Sequence, residues 1–371
     1  MGLSKIILNI ALSIVNVFTF YLRPIPNRIT FISLTSDKLT SDFKRIYEAL
    51  EKENVYELRC DLVVFQKSLW GDFLYFLNCL KQLVEIKRSA LVIINDNNYV
   101  ISHMKPKRTK VLQVWHACGA VKKFGNQIRR QYVIRNYDAV ISSAPYWKEC
   151  YAQAFGVMPG QVYDCGMART DNLLNQKKIN RKIIQFYERY PDLKEKKCIL
   201  YAPTFRGNII DGFEIESLDL DKMAEELEED TVVLYKFHPL LGDVRFRNKK
   251  AVAVNTEDLY VLMQISTCLI SDYSSIIFDY SLLKKPMIAY VSDLEQYKKT
   301  IGLNIPYEQD FPGEICFTEK NVIDAIRRLP DYNYEKLYEF QKKYIIRTDG
   351  NNTSRIVKLI HELTNIKKGA N

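Results

Sequence analysis

LISDYSSIIFDYSLLKKP, residues Leu269–Pro286, carries a strand, a turn and a helix in one short stretch. An apolar run ends at Ser271, Asp272 and the two following serines make a turn, and "IIFDYSLL" places apolar residues at helical spacing until Pro286 stops it. Strand, tight turn and helix in that order form the repeating unit of a doubly wound α/β sheet. Backbone amides at Ser274 and Ser275 would open the helix, and together with the helix dipole they would cradle a phosphate. A plainly capped helix is the other reading, since Asp and Ser favour caps in any case. Asp279, one turn further in, is placed to accept hydrogen bonds from ribose hydroxyls while the amides hold phosphates.

The same rhythm extends outward in both directions. "RITFISL", "ALVIIND", "KVLQVWH" and "DAVISSA" alternate with amphipathic stretches up to about Gly166, and each run is apolar without alternation, as strands buried on both faces are. It resumes with "CILYAPT", "TVVLYKFHP", "AVAVN" and "PMIAYV", after a polar, lysine-rich segment from Arg169 to Lys197 that reads as a linker. The expected fold is α/β, with two Rossmann-like doubly wound domains over residues 23–175 and 176–371, preceded by a helix within residues 1–22. A chain of 371 residues suits two cores better than one. Ligands of such sheets bind outside the carboxyl ends of the strands. That rule singles out His116, Arg206, His238 with its neighbour Lys236, and the turn from Ser271 to Ser275. His103 and His361 have no such setting and read as surface residues.

Composition narrows the classes. With 47% hydrophobic and 26% charged residues the chain is globular rather than disordered. Its eight cysteines form no Cys-x-x-Cys pair, and several lie in apolar runs, which argues for reduced thiols in a reducing compartment and against structural zinc. The one Asp-x-Asp, Asp219 to Asp221, leads into an acidic helical stretch and reads as a helix start, so neither metal nor cofactor is expected. The net charge of +9 is local: Asn97 to Tyr137 holds nine basic residues and no acid, while the remainder balances at 44 of each sign. Ordinary surfaces intersperse their charges, so this segregation points to an anionic partner.

The amino terminus suggests what that partner lies near. "LSKIILNIALSIVNVFTFYL", residues 3–22, has one charge and a narrow polar stripe of Lys5, Asn9, Ser13 and Asn16 at helical spacing. A membrane span, a helix lying in the interface and a helix packed on the protein all fit its length. The stripe and the flanking Arg23 and Arg28 favour the interfacial helix. No small-residue cleavage site follows, so a signal peptide does not fit.

"WHACGAVKKFG", "GMARTDNL", "YAPTFRG", "KFHP", "SDYSSIIFDY", "FPGEI" and "DGNNTSR", taken in order, resemble the motif series of the CDP-glycerol glycerophosphotransferase family, the teichoic acid and capsule polyol-phosphate transferases. The resemblance covers roughly Gln113 to Arg355. Two positions depart from it: Ala117 and Cys118 intervene where members often read His-Gly, and Ala168 stands before Arg169 where a proline is usual. The resemblance implies a GT-B fold with two domains facing across a cleft and peripheral attachment at the cytoplasmic face of a membrane. It also implies transfer of glycerol phosphate or ribitol phosphate from CDP-glycerol or CDP-ribitol to a hydroxyl of a lipid-linked anionic acceptor, releasing CMP.

The residue types suit that chemistry. A polyol hydroxyl is a poor nucleophile at neutral pH, and an imidazole is the usual base. His116 is the candidate in the first domain, with Gly119 and Gly125 as flexible neighbours and Lys122, Lys123 and Arg169 as acceptor-side cations. Negative charge on the phosphoryl group and departing CMP needs positioned cations and amides. His238 joins His116 as a catalytic candidate, and Arg206, Lys236, Asp272, Ser274, Ser275 and Asp279 form the candidate donor site. Two rivals stay open. A GT-B glycosyltransferase with a nucleotide-sugar donor would use much the same residues. A nucleic-acid module could use the basic window and its aromatics, but Trp115 sits in a strand and no RNA or DNA motif accompanies it, so no nucleic-acid partner is expected.

Overall fold

Two six-stranded parallel sheets organise the computed structural model, which describes residues 3–65, 68–204, 206–208, 212–214, 218–237 and 244–366. The first contains β1 (Ile25–Ser33), β2 (Glu57–Leu62), β3 (Ser89–Ile94), β4 (Lys110–Gln113), β5 (Ala139–Ile141) and β6 (Val162–Tyr163), in the order β2-β1-β3-β4-β5-β6. The second contains β7 (Lys197–Tyr201), β10 (Thr231–Tyr235), β11 (Ala251–Ala253), β12 (Ser266–Ser271), β13 (Met287–Tyr290) and β14 (Glu314–Cys316), in the order β11-β10-β7-β12-β13-β14. β8 (Arg206–Asn208) and β9 (Gly212–Glu214) form a separate antiparallel pair. Most apolar runs of the sequence are inner strands, "AVAVN" being the edge strand β11, and Leu91–Ile94, Val233, Leu234 and Leu269 are fully buried. β2 has no such signature. It is an edge strand, where charged residues discourage further pairing, and its Glu57 binds Arg28 and Arg59.

Contacts divide the chain into two compact units, with residues up to Ala117, Phe124–Asp171 and Arg347 onward in the first, and Cys118–Lys123 with Asn172–Ile346 in the second. The expected division at 175/176 therefore falls at 171/172, and the carboxyl-terminal helix does not belong to the second domain. Packing explains the return: the helix Asn352–Thr364 buries Ile356, Leu359 and Ile360 against α2 (Ser41–Glu53) and β3. Its start is held by Asp171, whose carboxylate accepts from the Asn352 amide at 3.1 Å and from the Thr353 amide and hydroxyl at 2.8 and 2.6 Å. Gly166, at φ +79°, lies so close that an added Cβ would meet the Asn352 side chain at 2.3 Å. Two motifs almost two hundred residues apart, "GMARTDNL" and "DGNNTSR", thus form one joint. Asp171→Ala is expected to cost about 2–3 kcal/mol, because a carboxylate accepting several buried donors is lost. A lowered urea midpoint and faster proteolysis of the terminal helix would report it, and an unchanged midpoint would refute the joint.

The lysine-rich segment expected as a linker is mostly a helix, Gln176–Arg189, which buries Ile179 and Phe186 and packs on the helix Leu259–Ile265. Its lysines are the solvent face of an amphipathic element. Asp219 caps the helix Leu220–Glu226 by accepting from the Lys222 amide, which is the helix start read from the sequence. Five of the eight cysteines are buried.

No described helix is long and apolar enough to cross a membrane. The amino-terminal helix α1 (Leu3–Phe18) packs on α3 (Leu69–Arg88) with Leu8 and Leu12 buried. Of its polar stripe Asn9 reaches inward, its Oδ1 accepting from the Tyr99 hydroxyl at 2.9 Å, while Ser13 and Asn16 stay exposed and Asn16 gives Lys87 Nζ its backbone carbonyl at 2.8 Å. Beyond Leu8 and Leu12, most of its apolar side chains point out. Ile6, Ile7, Ile10, Ile14, Val17 and Phe18 of α1 are exposed, as are Leu69, Trp70, Phe73, Leu74 and Leu77 of α3. Isolated exposed apolar side chains are ordinary, but so many on two packed helices are not.

Candidate functional site

The first unit presents His116 three residues beyond the end of β4. The residue before it, Trp115, has φ +53°, a left-handed conformation that costs an aromatic residue about 1–2 kcal/mol. Such strain persists only where surroundings enforce it. Here buried Gln113 spans the elbow, its Oε1 accepting from the Trp115 amide at 2.7 Å and its Nε2 donating to the Asp96 carbonyl at 2.8 Å. The Trp115 ring stacks on Phe124 at 4.8 Å and meets Phe155 edge-on at 5.1 Å. The elbow leaves the imidazole exposed beyond the sheet. His116 Nδ1 lies 3.1 Å from the Asn95 carbonyl. A carbonyl can only accept, so this contact assigns the proton to Nδ1 and the basic lone pair to Nε2.

Arg169 is beside it. Its guanidinium donates to the His116 carbonyl, and its backbone amide donates to buried Asp42 at 2.9 Å. Alanine in place of the usual proline has not moved this arginine away from the histidine. Gly125 differs from expectation: at φ +58°, an added Cβ would lie 2.2 Å from the Ala154 carbonyl, so this glycine permits close packing rather than movement.

Asp96 was not singled out by sequence, although an acid two residues after the apolar run "ALVII" was the available signal. Its carboxylate accepts from the Leu34 amide at 2.7 Å, and burial pushes its pKa up to about 6. Between the ordinary carboxyl range and pH 6 the folded state keeps a proton that the unfolded chain has lost, so stability falls as pH rises through this window. Above it, the buried charge costs about 3 kcal/mol, from roughly two pKa units at about 1.4 kcal/mol each. Asp96→Asn is therefore expected to stabilise the protein at pH 7.5 and to have little effect near pH 4, read as urea midpoints at both. An equal gain at both pH values would contradict a carboxyl raised by burial.

In the second unit the segment Cys118–Lys123 pairs with residues 302–304. Lys123 N donates to the Gly302 carbonyl, Asn304 N to that of Val121, and Asn304 Nδ2 to that of Lys122. Gly119, Lys122 and Lys123, expected in the acceptor domain, therefore fold with the second unit because this backbone pairing captures them. Arg206 is the centre of this unit's charge network. Its guanidinium donates to Asp272 at 2.8 Å and to both oxygens of Asp293 at 2.8 and 3.2 Å, and it lies about 5 Å from the ring centroids of Tyr273 and Tyr297. Burial opposes its charge, but the two carboxylates outweigh burial and hold the guanidinium protonated. Lys122 completes the group: burial lowers its pKa while Asp272 opposes that shift.

Several expected donor ligands instead brace the fold. Asp272 is buried, and besides binding Arg206 it accepts from the Thr204 amide at 2.8 Å. Lys236 donates to the carbonyls of Asn255 and Glu257, strapping the chain after β11. Asp279 is buried and accepts from the Tyr260 hydroxyl at 3.1 Å, so its carboxylate is not presented to a ribose. Ser274 and Ser275 are half-buried before the short helix Ile276–Ser281, where Ser274 Oγ accepts from the Ile276 amide. His238 lies outside the described residues. His361 is not a surface residue: its Nδ1 is 2.7 Å from the Tyr56 hydroxyl and its Nε2 is 2.9 Å from Glu53. His103 stacks on Tyr99.

The chain is 33% identical over 356 residues to the teichoic acid ribitol-phosphate primase of Bacillus spizizenii, covering 90% of each chain. It is 30% identical over 303 residues to the teichoic acid glycerol-phosphate primase of Bacillus subtilis, covering 76% of this chain and 77% of that one. The solved structure of the wall teichoic acid polymerase TagF shares the fold, with a TM-score of 0.73 at 23% identity over 97% of this chain and 95% of that chain. Residues 15–362 match the family described as CDP-glycerol:poly(glycerophosphate) glycerophosphotransferase, and the chain belongs to that family.

Proposed function

We propose that the protein transfers glycerol phosphate or ribitol phosphate from a CDP-activated donor to a hydroxyl of a lipid-linked anionic acceptor in teichoic acid synthesis. The observation that carries this reading is the strained elbow beyond β4 that holds His116 exposed, with its Nδ1 against the Asn95 carbonyl. The acceptor oxygen attacks the phosphorus bearing the polyol, the bond from that phosphorus to the bridging oxygen breaks, and CMP leaves with the bridging oxygen. Nε2 takes the hydroxyl proton as the new P–O bond forms. Arg169, beside His116, serves the anionic acceptor. Lys122, folded with the second unit, is better suited to the donor phosphates than to the acceptor role expected for it, and Ser274 and Ser275 are retained as donor contacts. Nucleotide release from CDP-glycerol, CDP-ribitol and UDP-sugars tests the reading against a sugar transferase. CMP from a CDP-polyol is expected, and UDP from a sugar donor would end it.

The outward apolar faces of α1 and α3 support peripheral attachment to a membrane, because an interfacial helix buries its apolar side in the acyl boundary. Ile10→Glu with Ile14→Glu and Trp70→Glu should greatly weaken vesicle cosedimentation while leaving the urea midpoint unchanged, since all three side chains are exposed. Undiminished vesicle binding would refute the attachment.

A further inference from the structure

The carboxyl-terminal end of α1 closes on a recess of about 370 Å³ whose lining includes Arg23, Lys87, Lys107 and Arg108 and no carboxylate. We infer that this recess binds the phosphate of an anionic phospholipid headgroup, an inference that rests on the membrane attachment proposed above.

The four cations do more than finish a helix. The negative end of the α1 dipole is met by Lys87, which is almost fully buried and donates to the Asn16 carbonyl and the Thr19 hydroxyl, both at 2.8 Å. Arg23 lies over the same end and donates to the Phe20 carbonyl at 3.1 Å. Lys107 and Arg108 are exposed and, among the described residues, form no ion pair. Their neighbours Lys105 and Lys110 differ, both being bound to Asp138. The basic window is therefore partly neutralised within the fold, and a surplus of positive charge remains at this recess.

The neighbouring side chains select the source of the phosphate. Val17, Phe18, Phe20 and Tyr21, on the last turn of α1 and the turn after it, are 63–75% exposed. A free phosphate ion would leave them in water, whereas a headgroup in a bilayer brings acyl chains to cover them. Cations beside apolar anchors are the arrangement that holds a helix at an anionic interface.

The test uses the full chain and two kinds of vesicle, phosphatidylcholine alone and equal parts phosphatidylcholine and phosphatidylglycerol, read by cosedimentation. The wild type should favour the mixed vesicles. Arg23→Ala with Lys107→Ala and Arg108→Ala should lower that binding about 100-fold, from roughly a fivefold effect per cation near a charged surface. Arg23→Lys with Arg108→Lys should restore most of it, and Arg129→Ala with Arg130→Ala, which removes two exposed charges elsewhere in the same window, should have a much smaller effect. Equal losses in the two alanine variants, or none in the first, would overturn the recess as a site while leaving attachment intact. Failure of the wild type to bind either vesicle would overturn attachment itself. Full release by inorganic phosphate, with no preference between vesicles, would assign the recess to a free anion and overturn the lipid.

Discussion

His116→Ala is expected to lower the single-turnover rate by roughly 10²- to 10⁴-fold, the range for loss of a positioned general base, with donor affinity little changed. The separation follows from where the imidazole stands. It belongs to the first unit, at the end of β4, and its Nδ1 proton is directed to the Asn95 carbonyl. Its basic nitrogen has a task only while a hydroxyl loses its proton, so the effect falls on turnover and not on ground-state binding. Isothermal titration of CDP-glycerol and CDP-ribitol into the folded variant gives the affinity, and rapid quench gives the rate. Abolished donor binding with an unimpaired chemical step would assign His116 to the donor.

Arg206→Ala is expected to destabilise the protein by about 3–5 kcal/mol, the usual cost of removing one partner of a buried ion pair. Asp272 is buried and Asp293 mostly so, and each would lose its guanidinium partner. Arg206→Lys keeps the charge but not the fork that grips two carboxylates at once, and should recover only part of the loss. The cost also has a pH signature. Burial alone would raise Asp293, but hydrogen bonds and charge from Arg206 hold it below the ordinary carboxyl range. That contribution is present above the unfolded carboxyl pKa and is lost as pH falls through the lowered folded value, so the gap between variant and wild type should narrow in acid. Urea midpoints from neutral pH downward measure it. A midpoint unmoved at neutral pH would show that Arg206 is available to ligand and is not a brace.

The strands were legible because burial on both faces writes a continuous apolar run, as in "ALVII" and "TVVLY". β2 was hidden because an edge strand carries charge. His116 was legible because strand ends face the ligand side of a doubly wound sheet. Sequence could not show whether a charged strand-end residue faces a ligand or another part of the fold: Arg206 reaches carboxylates 66 and 87 residues away, and Asp279 meets Tyr260. The capture of residues 118–123 by the chain near Asn304 was hidden for the same reason, since no local pattern encodes a pairing 182 residues long. On α1 the polar stripe was legible but not its direction. Only the partner Tyr99 shows that Asn9 points inward, while Ser13 and Asn16 stay at the surface.

The mass of a defined lipid-linked acceptor after incubation with each donor tests the central claim most directly. The expected result is a gain of one or more polyol phosphates from CDP-glycerol or CDP-ribitol with the wild type, and almost none with His116→Ala. A gain of sugar residues from a UDP-sugar, with both CDP-polyols left intact, would contradict it.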